Sequence, residues 1–313
     1  MYMRALCLDA GPATLMPLVH VPLLHDAPRS EGEYKAITDT LGDLCHFYGD
    51  FAGYHLYLIA SSYKKRINSV NYYDKENGKF SISLSVTHDN GVTEEVNLND
   101  CHAQLYEQTF SGLKYPDDIT IEHFSVGTPD ALKFHFRNKT AKFKFSNNLV
   151  PFLPEEARLS KYGLFNLKIE YIGKAVGKDG TREIADRLGN GHSTESSILN
   201  EFVHKKTNRD AFAILYKPGR LTDQLGNEDS SMSYSEVVDA LEKSLIASFL
   251  PAKNILNRKF PNDGSVTTQK LIGVGVSRLL ITANSPEDYG LLFTEDAEPE
   301  RVHRFDLKIN EYR

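Results

Sequence analysis

Apolar and polar residues alternate with a period of two along much of the first half of the chain. Ile82, Leu84 and Val86 interleave with Ser81, Ser83 and Ser85, which places the apolar set on one face of a strand. Glu76-Asn77-Gly78 and Asp89-Asn90-Gly91 bracket that run. Asn-Gly tolerates the positive φ of a two-residue hairpin turn, so the pattern predicts antiparallel strands across residues 54–145. A further hairpin is predicted over 132–145, with Leu132, Phe134, Phe136, Phe143 and Phe145 on one face. Its other face carries Lys133, His135, Arg137, Lys142 and Lys144. Upstream the period changes. Tyr34, Ile37, Leu41, Leu44, Cys45 and Tyr48 fall at helical spacing and predict one amphipathic helix within 31–51.

The segment 147–154 carries two prolines and marks a boundary, so residues 1–150 read as a β-rich recognition or regulatory domain. Residues 155–313 read as a second, mixed domain. A β-run over 167–172 ends at Gly173. Thr181 N-caps a short helix over 182–188, and Gly189-Asn190-Gly191 stops it. A second helix over 194–206 turns Ile198, Leu199 and Phe202 inward, and 211–216 is a strand. Ser233-Tyr234-Ser235-Glu236 has capping-box spacing and opens a helix that runs to Phe249, short of Pro251. Strand patterning returns over 271–283, 290–294 and 301–309. The expected class is α+β: a mostly antiparallel β domain, then a small mixed sheet flanked by helices.

Composition narrows the function little. The 313 residues are 41% hydrophobic and 25% charged, as in ordinary soluble domains. The apolar run 15–24 is interrupted by Pro17, His20 and Pro22, which argues against a membrane span or a secretory leader. Three scattered cysteines point to a reducing, cytoplasmic setting and away from a zinc site. The net charge of −6 does not announce a nucleic-acid partner. Locally the balance differs: residues 168–220 hold ten Lys/Arg against seven Asp/Glu, and 253–278 five against one.

The helix after Ser233 holds the first chemical signal. Val238, Leu241, Leu245, Ile246 and Phe249 form its apolar stripe, while Asp239 and Lys243 make an i,i+4 surface pair. Glu242 has Val238 four residues before it and Leu245 and Ile246 just after. A carboxylate on that packed edge is costly unless paired, protonated or bound to a metal. A boundary glutamate that snorkels or bonds a nearby Arg, and a metal ligand, both satisfy this pattern.

Glu242, Leu245, Ile246, Pro251 and Asn254, spaced Glu-x-x-Leu-Ile-x-x-x-x-Pro-x-x-Asn, follow Tyr171-Ile172-Gly173-Lys174 upstream. Together they resemble the GIY-YIG nuclease superfamily, most closely the form in the incision subunit of bacterial nucleotide excision repair. The resemblance covers residues 161 to about 261. It implies metal-dependent endonuclease cleavage of nucleic acid, DNA foremost, in restriction, phage defence or mobile-element biology. It also implies that Glu242 holds Mg²⁺ or Mn²⁺, that Arg187 binds the phosphate, and that Asn254 ties down the loop after the helix. Gly173 belongs to the second motif, with Lys174 beside the nucleic acid. Arg182 is the rival to Arg187. The first motif, Gly-Ile-Tyr, has no match. Its nearest substitute is Tyr162, so Tyr162 or Tyr171, with His192, is expected to activate water. The basic hairpin face (Lys133, Arg137, Lys142 and Lys144) is either a DNA contact or the solvated side of a sheet. The alternative class is a catalytically inactive nucleic-acid-binding or regulatory protein on the same fold.

Overall fold

The computed structural model describes residues 4–27, 33–38, 44–48, 53–103, 115–123, 130–137, 139–144, 149, 152–159, 163–176, 184–188, 197–198, 200–202, 208–286 and 289–309. The fold is α+β, with several mixed sheets and a few helices. In chain order, β1 (Arg4–Asp9) and β2 (Ala13–Pro17) lead into a 3-10 helix (Leu18–Asp26), then β3 (Tyr34–Thr38) and β4 (Leu44–Tyr48). Three long strands follow: β5 (Leu56–Asp74), β6 (Lys79–Thr87) and β7 (Thr93–His102). Next come β8 (Asp118–Glu122), β9 (Ala131–Phe136), β10 (Lys139–Lys144), the one-turn helix α1 (Glu155–Arg158) and β11 (Leu167–Lys174). The rest comprises α2 (Ile184–Leu188), β12 (Arg209–Tyr216), β13 (Thr222–Asp223), α3 (Tyr234–Phe249), α4 (Val266–Gly273), β14 (Val276–Asn284), β15 (Leu292–Phe293) and β16 (Val302–Lys308). Backbone at 197–198 and 200–202 is also helical. No helix of the described residues is long and apolar enough to cross a membrane.

The strand β5 serves two sheets. Its first half, Leu56-Tyr57-Leu58-Ile59-Ala60-Ser61-Ser62, is buried throughout, because it lies between β11 and β12 with cores on both faces. Leu56, Leu58 and Ala60 face one core together with Ile172, Ile214 and the apolar stripe of α3. Tyr57 and Ile59 face the other, with Ile184 and Leu188 of α2, Ile198, Phe202 and the 3-10 helix. The second half alternates and pairs with β6, which in turn pairs with β7. The change of partner falls at a buried polar cluster. The Lys65 ammonium donates to Ser62 Oγ at 2.9 Å and to the Tyr63 carbonyl at 2.7 Å. Burial pushes the Lys65 ammonium down and the Asp210 carboxyl up, while their mutual attraction works against both shifts.

The Asn-Gly turns are where the pattern put them, with Gly78 at φ 68° and Gly91 at φ 79°. The β9–β10 hairpin is present, in register Lys142↔Lys133. The helix expected within 31–51 is not. Its described parts are β3 and β4, paired as a hairpin in register Ile37↔Cys45. Tyr34, Ile37, Leu44 and Tyr48 fit a helical face, yet they also fit two short strands, and cross-strand pairing decided between the periods. The first three residues of the C-terminal β pattern (271–283) end α4 instead, and β14 begins at Val276. The proline-rich boundary near residue 150 does not separate sheets. The central sheet runs β15-β11-β5-β12-β2, and β1 pairs in parallel with β14.

The helix α3 is capped as its sequence indicates. The Glu236 carboxylate accepts from the Ser233 backbone N–H at 2.8 Å and the Ser233 hydroxyl at 2.7 Å. It also accepts from Lys270 of α4, and this bond, with those from Ser233, holds Glu236 down to about 2. A carboxylate depressed by folding adds stability above its unfolded pKa and loses it as pH falls through the folded value. Wild type should therefore lose more melting temperature than Glu236→Gln between about pH 4.5 and about pH 2. Parallel acid melting curves for the two proteins would discard this coupling.

Candidate active site

The site assembles at the ends of β11 and β5, with α2 on one face of the sheet and α3 on the other. The pairing register Gly173↔Tyr57 and Lys174↔Leu56 decides what meets what. Cross-strand partners share a face, so Tyr57 and Gly173 point toward α2. The Tyr57 ring lies over Gly173. A Cβ at Gly173 would meet Tyr57 Cζ and its hydroxyl oxygen at 2.6 Å, and Tyr171 Cε1 at 2.9 Å. That close approach is the physical reason for glycine here. The Tyr57 and Tyr171 rings are 6.1 Å apart between centroids, tilted by 42°.

Arg187 enters from α2, whose first backbone N–H, that of Ile184, donates to the Tyr54 carbonyl at 3.2 Å. The Tyr57 phenol is pushed well up, first by burial and then by Tyr171, while the Arg187 guanidinium pulls it down. The Glu242 carboxylate also acts on it, raising it further. Tyr57 is therefore a neutral phenol at physiological pH. Its hydroxyl is buried, and the Arg187 guanidinium is its hydrogen-bonding neighbour. Tyr171 is half-buried.

On the opposite face, Lys174 reaches α3. Its ammonium lies 3.1 Å from Glu242 Oε2 and also bonds Asp239, one turn earlier on the helix. Glu242 is 13% exposed at its side chain, so the packed-edge position inferred from Val238, Leu245 and Ile246 is real, and an ion pair satisfies it. The expected Asp239–Lys243 surface pair forms at 2.7 Å, but it is only part of a network. Asp239 also accepts from Thr267 of α4, which accepts from Lys243 at 2.7 Å. A pattern confined to one helix cannot register partners from β11 and α4.

Asn254 closes the edge of β11. Its Oδ1 accepts from Ile172 N–H at 2.8 Å and its Nδ2 donates to the Ile172 carbonyl at 2.9 Å. The side-chain amide thus supplies the two bonds that a further strand would have made to that residue. The Lys253 N–H adds a bond to the Glu170 carbonyl at 3.2 Å.

Of the residues expected at the site, Tyr171, Gly173, Lys174, Arg187, Glu242 and Asn254 come together. Tyr162, His192 and the rival Arg182 lie outside the described residues. Sequence reasoning missed Tyr57, since long-range pairing alone brings it to Tyr171. The only local signal was the apolar run that opens β5. The basic hairpin is less available than expected. Lys133 and Lys142 each lie 2.7 Å from the Glu122 carboxylate, which they hold below its ordinary pKa. Arg137 follows β9 and is exposed, and the Lys144 side chain lies outside the described residues. No family model, curated protein or solved structure matches this chain.

A divalent cation would meet a sparse donor set. Among the described residues no cluster of three or more His, Cys, Asp or Glu side chains is poised for a metal. Glu242 and Asp239 share one ammonium ion, so a cation already sits between two carboxylates. That arrangement fits Mg²⁺, which keeps most of its water and takes one or two carboxylates plus substrate phosphate oxygens. It does not fit a caged structural metal.

Asn254→Ala should strip Ile172 of both partners and lower stability by roughly 2–4 kcal/mol, because a buried N–H and C=O are left unmade. Gly173→Ala should cost roughly 1–3 kcal/mol by driving a methyl into the Tyr57 ring. Urea unfolding of each variant beside wild type measures both, and unchanged midpoints would refute the packing described.

Proposed function

We propose that the chain is a metal-dependent endonuclease of the GIY-YIG type that cleaves DNA phosphodiester bonds. The observation that carries this reading is the convergence of Tyr171, Tyr57, Arg187, Glu242 and Asn254 through one strand pair, β5–β11. They come from separate stretches, and each has a use in phosphodiester hydrolysis.

In this reading Arg187 binds the non-bridging oxygens, since a planar guanidinium matches a phosphate and stays charged. Tyr171, the more accessible phenol, holds the attacking water. Tyr57, a neutral phenol beside Arg187, supports that water or Tyr171 by hydrogen bonding rather than as a phenolate. Tyr57 thus takes the place expected of Tyr162. Glu242 would hold Mg²⁺ or Mn²⁺, which when bound polarises the phosphate and stabilises the leaving oxygen. Lys174, already bonded to Asp239, would remain on that carboxylate if Glu242 held a cation. Asn254 and Gly173 keep β11 and Tyr57 in register and touch no reacting atom.

The Lys174–Glu242 ion pair favours one rival: a nucleic-acid-binding protein whose own lysine takes the metal's place for good. Glu242→Gln and Lys174→Met separate the two. If the endonuclease reading holds, Glu242→Gln abolishes Mg²⁺-dependent cleavage of plasmid DNA and leaves the melting temperature level. Lys174→Met then tightens Mn²⁺ binding, followed by electron paramagnetic resonance, several-fold, because a competing ammonium is gone. Wild type that neither cuts DNA nor binds Mn²⁺, with Lys174→Met unchanged, assigns the chain to the rival class.

A further inference from the structure

The loop after α3 holds two adjacent aliphatic side chains in solvent. Ile255 is 85% exposed and Leu256 78%, although the residues that flank them are fixed. On one side Asn254 is clamped to the Ile172 backbone, between Tyr171 and Gly173. On the other, Phe260 is buried, and its N–H donates to the Asn257 carbonyl at 3.1 Å. Asn257 adopts a left-handed φ of 66°. Arg258 ties the loop back to the carbonyls of Leu250 and Pro251 at 3.0 and 3.3 Å. Anchored at both ends, the pair cannot fold back onto the core, and the exposure is built into the loop.

Charge indicates what covers it. Residues 251–262 contain Lys253, Arg258 and Lys259 and no acid, in a chain whose net charge is −6. Lys253 is answered by Glu201 at 2.5 Å, while among the described residues Arg258 bonds the uncharged carbonyls of Leu250 and Pro251 and Lys259 is exposed. Two aliphatic side chains fall far short of the roughly 800 Å² per partner that a stable protein interface buries. They are, however, enough to enter a base step. Leu and Ile wedges unstack and kink a duplex at a cost of a few kcal/mol, recovered through backbone contacts.

We propose that Ile255 and Leu256 form an apolar wedge that opens the base stack of duplex DNA next to the candidate active site, with Arg258 and Lys259 on the flanking phosphates. This rests on the reading of that site as a DNA phosphodiesterase. The wedge sits one residue beyond Asn254, so unstacking there loosens the backbone near Tyr171 and Arg187, where an in-line attack needs room.

The test uses duplex oligonucleotides carrying 2-aminopurine at successive positions, first without divalent cation so that the strands stay whole. Bound wild type should raise the fluorescence several-fold at one or two adjacent positions. The double variant Ile255→Ser/Leu256→Ser should lose most of that rise, keep its melting temperature, cut intact duplex at least ten-fold more slowly with Mg²⁺, and recover rate on a duplex mismatched at that step. Lys259→Gln should keep the rise per bound complex and flatten the salt dependence of binding by about 0.9. An equal rise in the double variant, or no rise from bound wild type that still cleaves, overturns the wedge and leaves the nuclease reading standing. Cleavage of single strands only overturns it too, as does conversion of a wild-type dimer to monomer by the serines. Wild type that binds no DNA overturns both readings.

Discussion

Pairing of Leu56–Tyr63 with two strands from beyond residue 160 is the constraint on which the rest of the structure depends. The first half of β5 is the only segment among the described residues that bonds both β11 and β12, so it joins the first third of the chain to the last half. Register matters as much as pairing. A slip of one residue would turn Tyr57 to the α3 face and set Leu56 or Leu58 opposite Gly173. The phenol pair, the close approach of the Tyr57 ring to Gly173 and the approach of α2 all follow from one choice of partner residues.

Charge at the site is divided by the sheet. The α2 face offers a guanidinium and two phenols. The α3 face offers two carboxylates that share Lys174, with Lys243 also on Asp239. Lys174 does what solvent or a metal would otherwise have to do, since a carboxylate so enclosed is costly when unpartnered. Thr267 and Lys243 hold Asp239 in turn, so the position of α4 reaches the site through a chain of polar contacts.

The long strands between Tyr57 and Tyr171 explain why a compact motif is spread over so much sequence. From Lys64 onward β5 leaves its central partners for β6, which pairs with β7, while β8 to β10 form a sheet of their own. The buried Lys65 and Asp210 lie where the partners change, and His123 bonds the buried Asp130 at 3.0 Å close by. Buried polar groups satisfied in one arrangement only are a means of holding a register, at some cost in stability.

Local chemistry determined what depended on neighbours in sequence. The Asn77-Gly78 and Asn90-Gly91 turns, the alternation of β6, the β9–β10 hairpin and the Ser233–Glu236 cap were all legible, because backbone φ and a three-residue reach decide them. The α+β class and the packed-edge position of Glu242 followed from periodicity. The stretch 31–51 was misread because apolar spacing there satisfies two periods, and only the partner strand breaks the tie. Tyr57 was invisible as a site residue, and Lys174 as the partner of Glu242, because both roles arise from contacts between distant segments. Glu122 likewise took Lys133 and Lys142 out of the free basic face. The sequence by itself determined which turns must form, where the α3 cap lies and which edge of that helix is packed. Tertiary structure alone decided which of them meet, since strand register and charge pairing are set between segments and not along them.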